Sequence, residues 1–130
     1  MKFLDTSFLV DYLKGRDYTL EYLEENSEEA FYASSLTIFE LYRGELNSEG
    51  KSDLEDLKER LEWLETAQLD NETAEEAAKI EKALSNQGEK VNLADTLIAG
   101  EASKKGVKIV TRDRDFQKMS KIEVETPEDR

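Results

Sequence analysis

Four acidic residues each close or interrupt a short apolar run. Asp5 follows Lys2-Phe3-Leu4, Glu40 sits inside Thr37-Ile38-Phe39-Glu40-Leu41, Asp95 inside Leu93–Ala99, and Asp113 follows Lys108-Ile109-Val110-Thr111-Arg112. Apolar surroundings are costly for a carboxylate unless a positive partner meets it there. The chain has no histidine and no cysteine, which excludes imidazole and thiolate ligands, disulfides and the commonest general base. A hard divalent cation, Mg2+ or Mn2+, suits carboxylate oxygens, and such sites act most often on phosphate esters.

Each acid also has a purely structural reading. Asp5 is placed to cap a helix, Asn92 and Asp95 fit a capping arrangement, and Asp113 is placed to cap the turn before Phe116. Glu40 is different. Leu36, Ile38, Phe39 and Leu41 surround most of its helix, so Glu40 is expected to point inward. It would then need a metal or Arg43 as partner.

The elements that must position these acids follow from the pattern. Lys2–Leu4 reads as a strand, and Asp5-Thr6-Ser7 opens a helix that stops at Gly15. A second helix is predicted over Tyr18–Glu28, a strand over Ala30–Ala33, and a helix over Leu36–Leu46 capped by Ser34-Ser35. Another helix starts at Ser52-Asp53-Leu54, with Leu54, Leu57, Leu61 and Leu64 on one stripe. A short strand at Thr66–Leu69 precedes helices over Glu72–Ser85 and Asn92–Lys104. Val107–Thr111 is a β-branched strand, Asp113–Met119 a short helix or turn, and Ile122–Val124 an edge strand. Strands alternating with helices predict an α/β fold with a mostly parallel sheet covered on both faces. The functional crevice of such a sheet lies beyond the carboxyl ends of the strands, where Asp5 and Asp113 would fall.

At 130 residues the expectation is one domain over residues 1–130. Hydrophobic and charged residues each make up 38%, and the apolar ones are grouped periodically, as in a folded domain. No apolar run approaches the roughly 18 residues of a membrane span, and no signal-peptide pattern is present. The expected location is cytoplasmic, with no membrane association. The formal charge of −13 argues against non-specific nucleic-acid binding. It leaves three readings open: a metal cluster that reverses the field locally, a cationic partner, or a high-salt source.

Four segments, in order, carry a resemblance along essentially the whole chain. They are Leu4-Asp5-Thr6-Ser7, Ser35–Gly44, Asp95-Thr96-Leu97-Ile98-Ala99 and Ile109–Phe116. The chain resembles PIN-domain nucleases, most closely the VapC-type toxins of toxin–antitoxin pairs. That resemblance implies an α/β/α sandwich and a metal-dependent endoribonuclease. It implies an acidic pocket of Asp5, Glu40, Asp95 and Asp113, with Asp5, Asp95 and Asp113 holding Mg2+ or Mn2+. Thr6, Ser7, Thr111 and Asp115 match supporting positions. A metal-activated water would attack the RNA phosphodiester in line and leave a 5′ phosphate. Arg43, Arg112 and Arg114 are the expected contacts for RNA or antitoxin, with Arg112 and Arg114 at the pocket mouth. The implied partners are an RNA substrate such as a tRNA or ribosomal RNA loop, a cognate antitoxin and a second copy in a homodimer. A housekeeping RNA-processing nuclease and a catalytically silent binding module remain as alternatives. A haloacid-dehalogenase-type phosphatase would need a second Asp where Ser7 stands. Gly100 departs from the family pattern.

Overall fold

The computed structural model describes residues 1–129. Arg130, the last residue of the expected domain, lies outside the described residues. The strands are β1 (Lys2–Leu4), β2 (Phe31–Ser34), β3 (Glu65–Ala67), β4 (Lys108–Val110) and β5 (Val124–Glu125). The helices are α1 (Thr6–Leu13), α2 (Asp17–Glu25), α3 (Ser35–Leu46), α4 (Leu54–Arg60), α5 (Asn71–Asn86) and α6 (Leu93–Lys105), with a 3-10 helix over Arg114–Lys118. The sheet order is β3-β2-β1-β4-β5 and every pair is parallel. The chain leaves β1 toward β2 and β3, then returns to the other side of β1 as β4. The crevice produced by that reversal lies beyond the ends of β1 and β4.

Strand periodicity divides the core into two layers. Leu4 and Val110 face one way, into a cluster with Phe8, Leu9, Tyr22 and Leu41. Phe3 and Ile109 face the other, into a cluster with Ile80, Ile98, Ala99 and Phe116. Side chains alternate across a strand, so the two faces of a three-residue strand serve both layers. Helices α1 to α4 cover the first face, and α5 with α6 the second. This is the expected α/β/α sandwich.

Differences from the sequence reading have local causes. Helix α2 ends at Glu25 rather than Glu28, because the Asn26 side chain donates to the Tyr22 carbonyl and terminates the ladder. Helix α4 stops at Arg60, so Leu61 and Leu64 continue the leucine stripe from a turn. Leu57 and Leu61 are buried in the first core, with Leu54 and Leu64 packed against it. The stripe therefore serves this domain's own interior.

Gly106 ends α6 in the left-handed conformation at φ 67°, as a helix stop requires. Gly100 has another purpose. A Cβ there would lie 2.8 Å from both the Ala77 Cβ and the Thr73 carbonyl oxygen, and 2.9 Å from the Ala77 nitrogen. Glycine lets α6 seat directly on the backbone of α5. Gly100→Ala is expected to destabilise the protein by about 1–3 kcal/mol through overpacking, despite a helix-propensity gain of up to about 1 kcal/mol. Urea unfolding of the two proteins tests this. Equal midpoints would mean that the two helices separate freely.

Candidate active site

Three helix starts converge at the carboxyl edge of β1 and β4. Asp5 caps α1, its Oδ1 accepting from the Phe8 amide at 2.9 Å. Asn92 caps α6, its Oδ1 accepting from the Asp95 amide at 2.8 Å while its Nδ2 donates to Asp95 Oδ2 at 2.9 Å. Asp113 caps the 3-10 helix, its Oδ1 accepting from the Asp115 amide at 2.9 Å. The capping reading thus holds at every position where the sequence offered it. The same caps gather the acids: carboxylate oxygens of Asp95, Asp113 and Asp115 all lie within 4.8 Å of one another. Helix amino ends carry partial positive charge and offset part of the repulsion.

Asp5 lies beside this group but is engaged differently. It is 2% exposed, and its Oδ2 accepts from the Ser7 hydroxyl at 2.7 Å and from the Thr111 hydroxyl. Thr111 Oγ1 in turn accepts from the Asp113 amide at 2.9 Å. Ser7 and Thr111 thus hydrogen-bond Asp5, and Thr111 joins the ends of β1 and β4. Asp115, expected as an auxiliary, is close to Asp95 and Asp113.

Glu40 departs from expectation. Phe39 is 56% exposed and Glu40 is only half-buried, because α3 turns Thr37 and Leu41 inward instead. Glu40 Oε1 lies 3.3 Å from the Thr6 hydroxyl, which also lies 2.9 Å from Thr37 Oγ1. Thr6 follows Asp5, so it ties Glu40 to the rim of the site. Arg43 does not supply the expected partner; its guanidinium lies over the Phe39 ring, 5.1 Å from the centroid.

Of the two arginines beside Asp113, Arg112 is engaged elsewhere. Arg112 donates to the Pro127 carbonyl at 2.8 Å and lies over Tyr18, so the carboxyl-terminal segment holds it. Arg114 is exposed at the start of the 3-10 helix. The cation in contact with the cluster is Lys118, whose Nζ lies 3.3 Å from Asp115 and 3.4 Å from Glu89. Sequence reasoning passed over Lys118; its i+3 spacing from Asp115 was the available signal.

Burial raises the pKa of Asp5, with the Asp113 charge adding to it, against hydrogen bonds from Thr111, the Phe8 amide and Ser7. Burial and the charges of Asp113, Asp5 and Asp115 push Asp95 up to about 6, against the Asn92 hydrogen bond. A carboxyl whose pKa is raised on folding stabilises the fold fully only below its unfolded value, roughly 3.9. For Asp95 that contribution is lost as pH climbs through about 6. Asp95→Asn should therefore match wild type near pH 4 and become more stable than it by pH 7. Solvent screening of a half-buried group holds the gap to about 1 kcal/mol. Calorimetric melting in EDTA across this range tests it. A gap that stays constant with pH would show that Asp95 feels no neighbouring charge.

The comparisons agree with this geometry. No curated protein sequence matches the chain. A DNA-bound VapBC structure from Salmonella typhimurium is similar, at 26% identity and a TM-score of 0.85, covering 96% of each chain. FitAcB from Neisseria gonorrhoeae is similar at 25% identity and a TM-score of 0.83, covering 95% of this chain and 96% of that one. VapBC-5 from Mycobacterium tuberculosis, of the VapBC family of toxin–antitoxin systems, matches at 25% identity and a TM-score of 0.59, covering 75% of this chain and 80% of that one. Residues 2–122 match the family model of the PIN domain. With an acidic cluster at the crevice of a parallel sandwich and a match over almost its full length, the chain belongs to the PIN-domain family.

Proposed function

We propose that this chain is a metal-dependent endoribonuclease and the toxin of a toxin–antitoxin pair, built as a single domain. The observation that carries the nuclease reading is the meeting of Asp95, Asp113 and Asp115 within 4.8 Å, backed by the buried Asp5. Three hard oxygen donors fit a divalent ion such as Mg2+ or Mn2+. The raised Asp95 carboxyl fits it too, since burial and then the charges of Asp113, Asp5 and Asp115 disfavour its ionised form. Similarity to chains of VapBC complexes supports the toxin reading.

Asp95, Asp113 and Asp115 would hold the ion, and Asp5 would orient them through Thr111 and add charge behind them. When bound, the ion supplies Lewis acidity toward a phosphate oxygen and lowers the pKa of the attacking water. Glu40, half-buried and bonded to Thr6, would accept a proton, in a chain without histidine. Lys118 and Arg114 are the cations placed to meet RNA phosphates at the cluster; the overall charge of −13 makes such local positive groups necessary. Single-stranded or looped RNA, as in a tRNA or ribosomal RNA, presents phosphates accessible to a crevice. Its place of action would be the cytoplasm.

The antitoxin has a candidate seat. A groove of about 440 Å3 is lined by Tyr12, Leu20, Leu23, Phe31 and Trp63, with Leu20 and Trp63 exposed. Homodimerisation, implied by the resemblance, is checked by light scattering. Among the described residues no helix is long and apolar enough to cross a membrane.

Incubation of the purified protein with total RNA and Mg2+ or Mn2+ should give discrete fragments with 5′ phosphates. EDTA should abolish them. Asp113→Asn should reduce the rate by roughly 100-fold or more, beyond the loss typical of an outer-shell partner. Cleavage that persists in EDTA and in Asp113→Asn would overturn the proposal. Mn2+ binding without cleavage of any RNA would favour the silent binding module instead.

A further inference from the structure

Glu101, on α6, is 1% exposed and takes no part in the mechanism above. Its Oε1 accepts from the Ser34 hydroxyl at 2.7 Å. Its Oε2 is buried without a partner among the described residues. Ser34 is no ordinary neighbour. It ends β2 and caps α3, its Oγ accepting from the Leu36 amide at 3.0 Å. The register pairs Phe3 with Tyr32, so Ser34 stands at the same carboxyl edge of the sheet as Asp5.

This one contact joins two site-bearing helices. Helix α6 carries Asp95 in its first turn and Glu101 further along; α3 carries Thr37 and Glu40 after the Ser34 cap. Gly100 draws α6 close onto α5, which fixes where the Glu101 carboxyl must go.

The protonation state follows from these surroundings. Burial pushes Glu101 up to about 7. The Ser34 hydrogen bond and Lys105 oppose the shift, and Asp70 adds to it. Lys105 is turned toward β2, its ammonium 4.7 Å from the Tyr32 ring centroid. Asp70, capping α5, is paired with Lys104. From α3 the facing group is the Ser34 cap. A neutral carboxyl can tolerate an unpartnered oxygen here; an ionised one pays a much larger desolvation cost.

We propose that Glu101 is a positioning residue for the acidic site: its carboxyl accepts the Ser34 hydroxyl and so sets α3, with Thr37 and Glu40, against α6, with Asp95. The proposal rests on the reading of the acidic cluster as the active site. Ionisation of Glu101 makes its Oε1 a stronger acceptor for Ser34 while its Oε2 stays buried without a partner among the described residues, and so shifts Glu40 relative to Asp95 as pH rises through neutrality. A residue that merely filled space would alter stability and leave this coupling absent.

The test is an NMR pH titration of the full-length, metal-free protein with labelled glutamate carboxyls and backbone amides. The Glu101 carboxyl should titrate near neutrality, and the Leu36 and Glu40 amides should move with the same midpoint. In Glu101→Gln the step near neutrality should be absent from those amides. In Ser34→Ala the Glu101 carboxyl should still titrate while the Glu40 amide no longer follows it. The ratio of wild-type to Glu101→Gln Mn2+ affinity, measured by calorimetry, should change several-fold between pH 6 and pH 8. Leu36 and Glu40 amides that ignore Glu101, or that titrate identically in Glu101→Gln, would overturn the proposal. Loss of Mn2+ binding in every form, wild type included, would count against the nuclease reading, and the amide titration would still decide the Ser34–Glu101 tie.

Discussion

Everything at the crevice depends on one buried carboxylate. Asp5 sits where β1 hands over to α1, and both of its oxygens are occupied by donors from its own turn and from the end of β4. Thr111 spans the two strands by giving its hydrogen to Asp5 and receiving one from the Asp113 amide. The Thr111–Asp5 bond is buried, where hydrogen bonds to a charged group are strongest. It sets the distance between the first strand and the 3-10 helix, and hence the place of Asp113 and Asp115. Without it, those acids would be free to spread apart under their own repulsion.

Capping and chemistry are therefore not competing accounts of these residues. A carboxylate that caps a helix is anchored by backbone amides and sits at the positive end of that helix. Placing three such starts around one crevice assembles like charges at close range with part of the cost already offset locally. The remainder adds to burial in raising the carboxyls of Asp5 and Asp95. A divalent cation would relieve that remainder and, by binding only the folded state, stabilise the domain. Lys118 relieves a little of it already, at the exposed edge.

Helix α6 is the mechanical arm of the site. Its first turn presents Asp95, its middle rests on α5 through Gly100, and Glu101 reaches the start of α3. The helix is hydrophobic on several sides because it is covered by the sheet, by α5 and by the 3-10 helix. Its burial explains how a glutamate came to be enclosed there with only one hydroxyl partner. The apolar departure at Gly100 and the buried acid at Glu101 belong to one packing arrangement.

What the sequence determined by itself was local. Helix starts were legible because Asp5, Ser34, Asp53, Asn92 and Asp113 are caps whose side chains bond amides two or three residues away. The alternation of strands with helices was enough to predict a parallel sheet covered on both faces. The rotation of each helix and the meeting of distant segments were decided only by tertiary structure. Glu40 looked inward because apolar residues flank it in sequence, yet α3 has to bury Thr37 and Leu41 against the sheet and leaves Phe39 outside. Asp115 meets Asp95 and Asp113, and Asp5 is buried beneath donors from Ser7, Phe8 and Thr111, because strand register and the Thr111 bridge fix where each lies. Arg112 turned to the carboxyl-terminal segment, and Lys118 took the cationic place at the cluster. Hydrogen bonds that close over two or three residues can be read along a chain; distances between carboxylates ninety residues apart depend on how the whole domain packs.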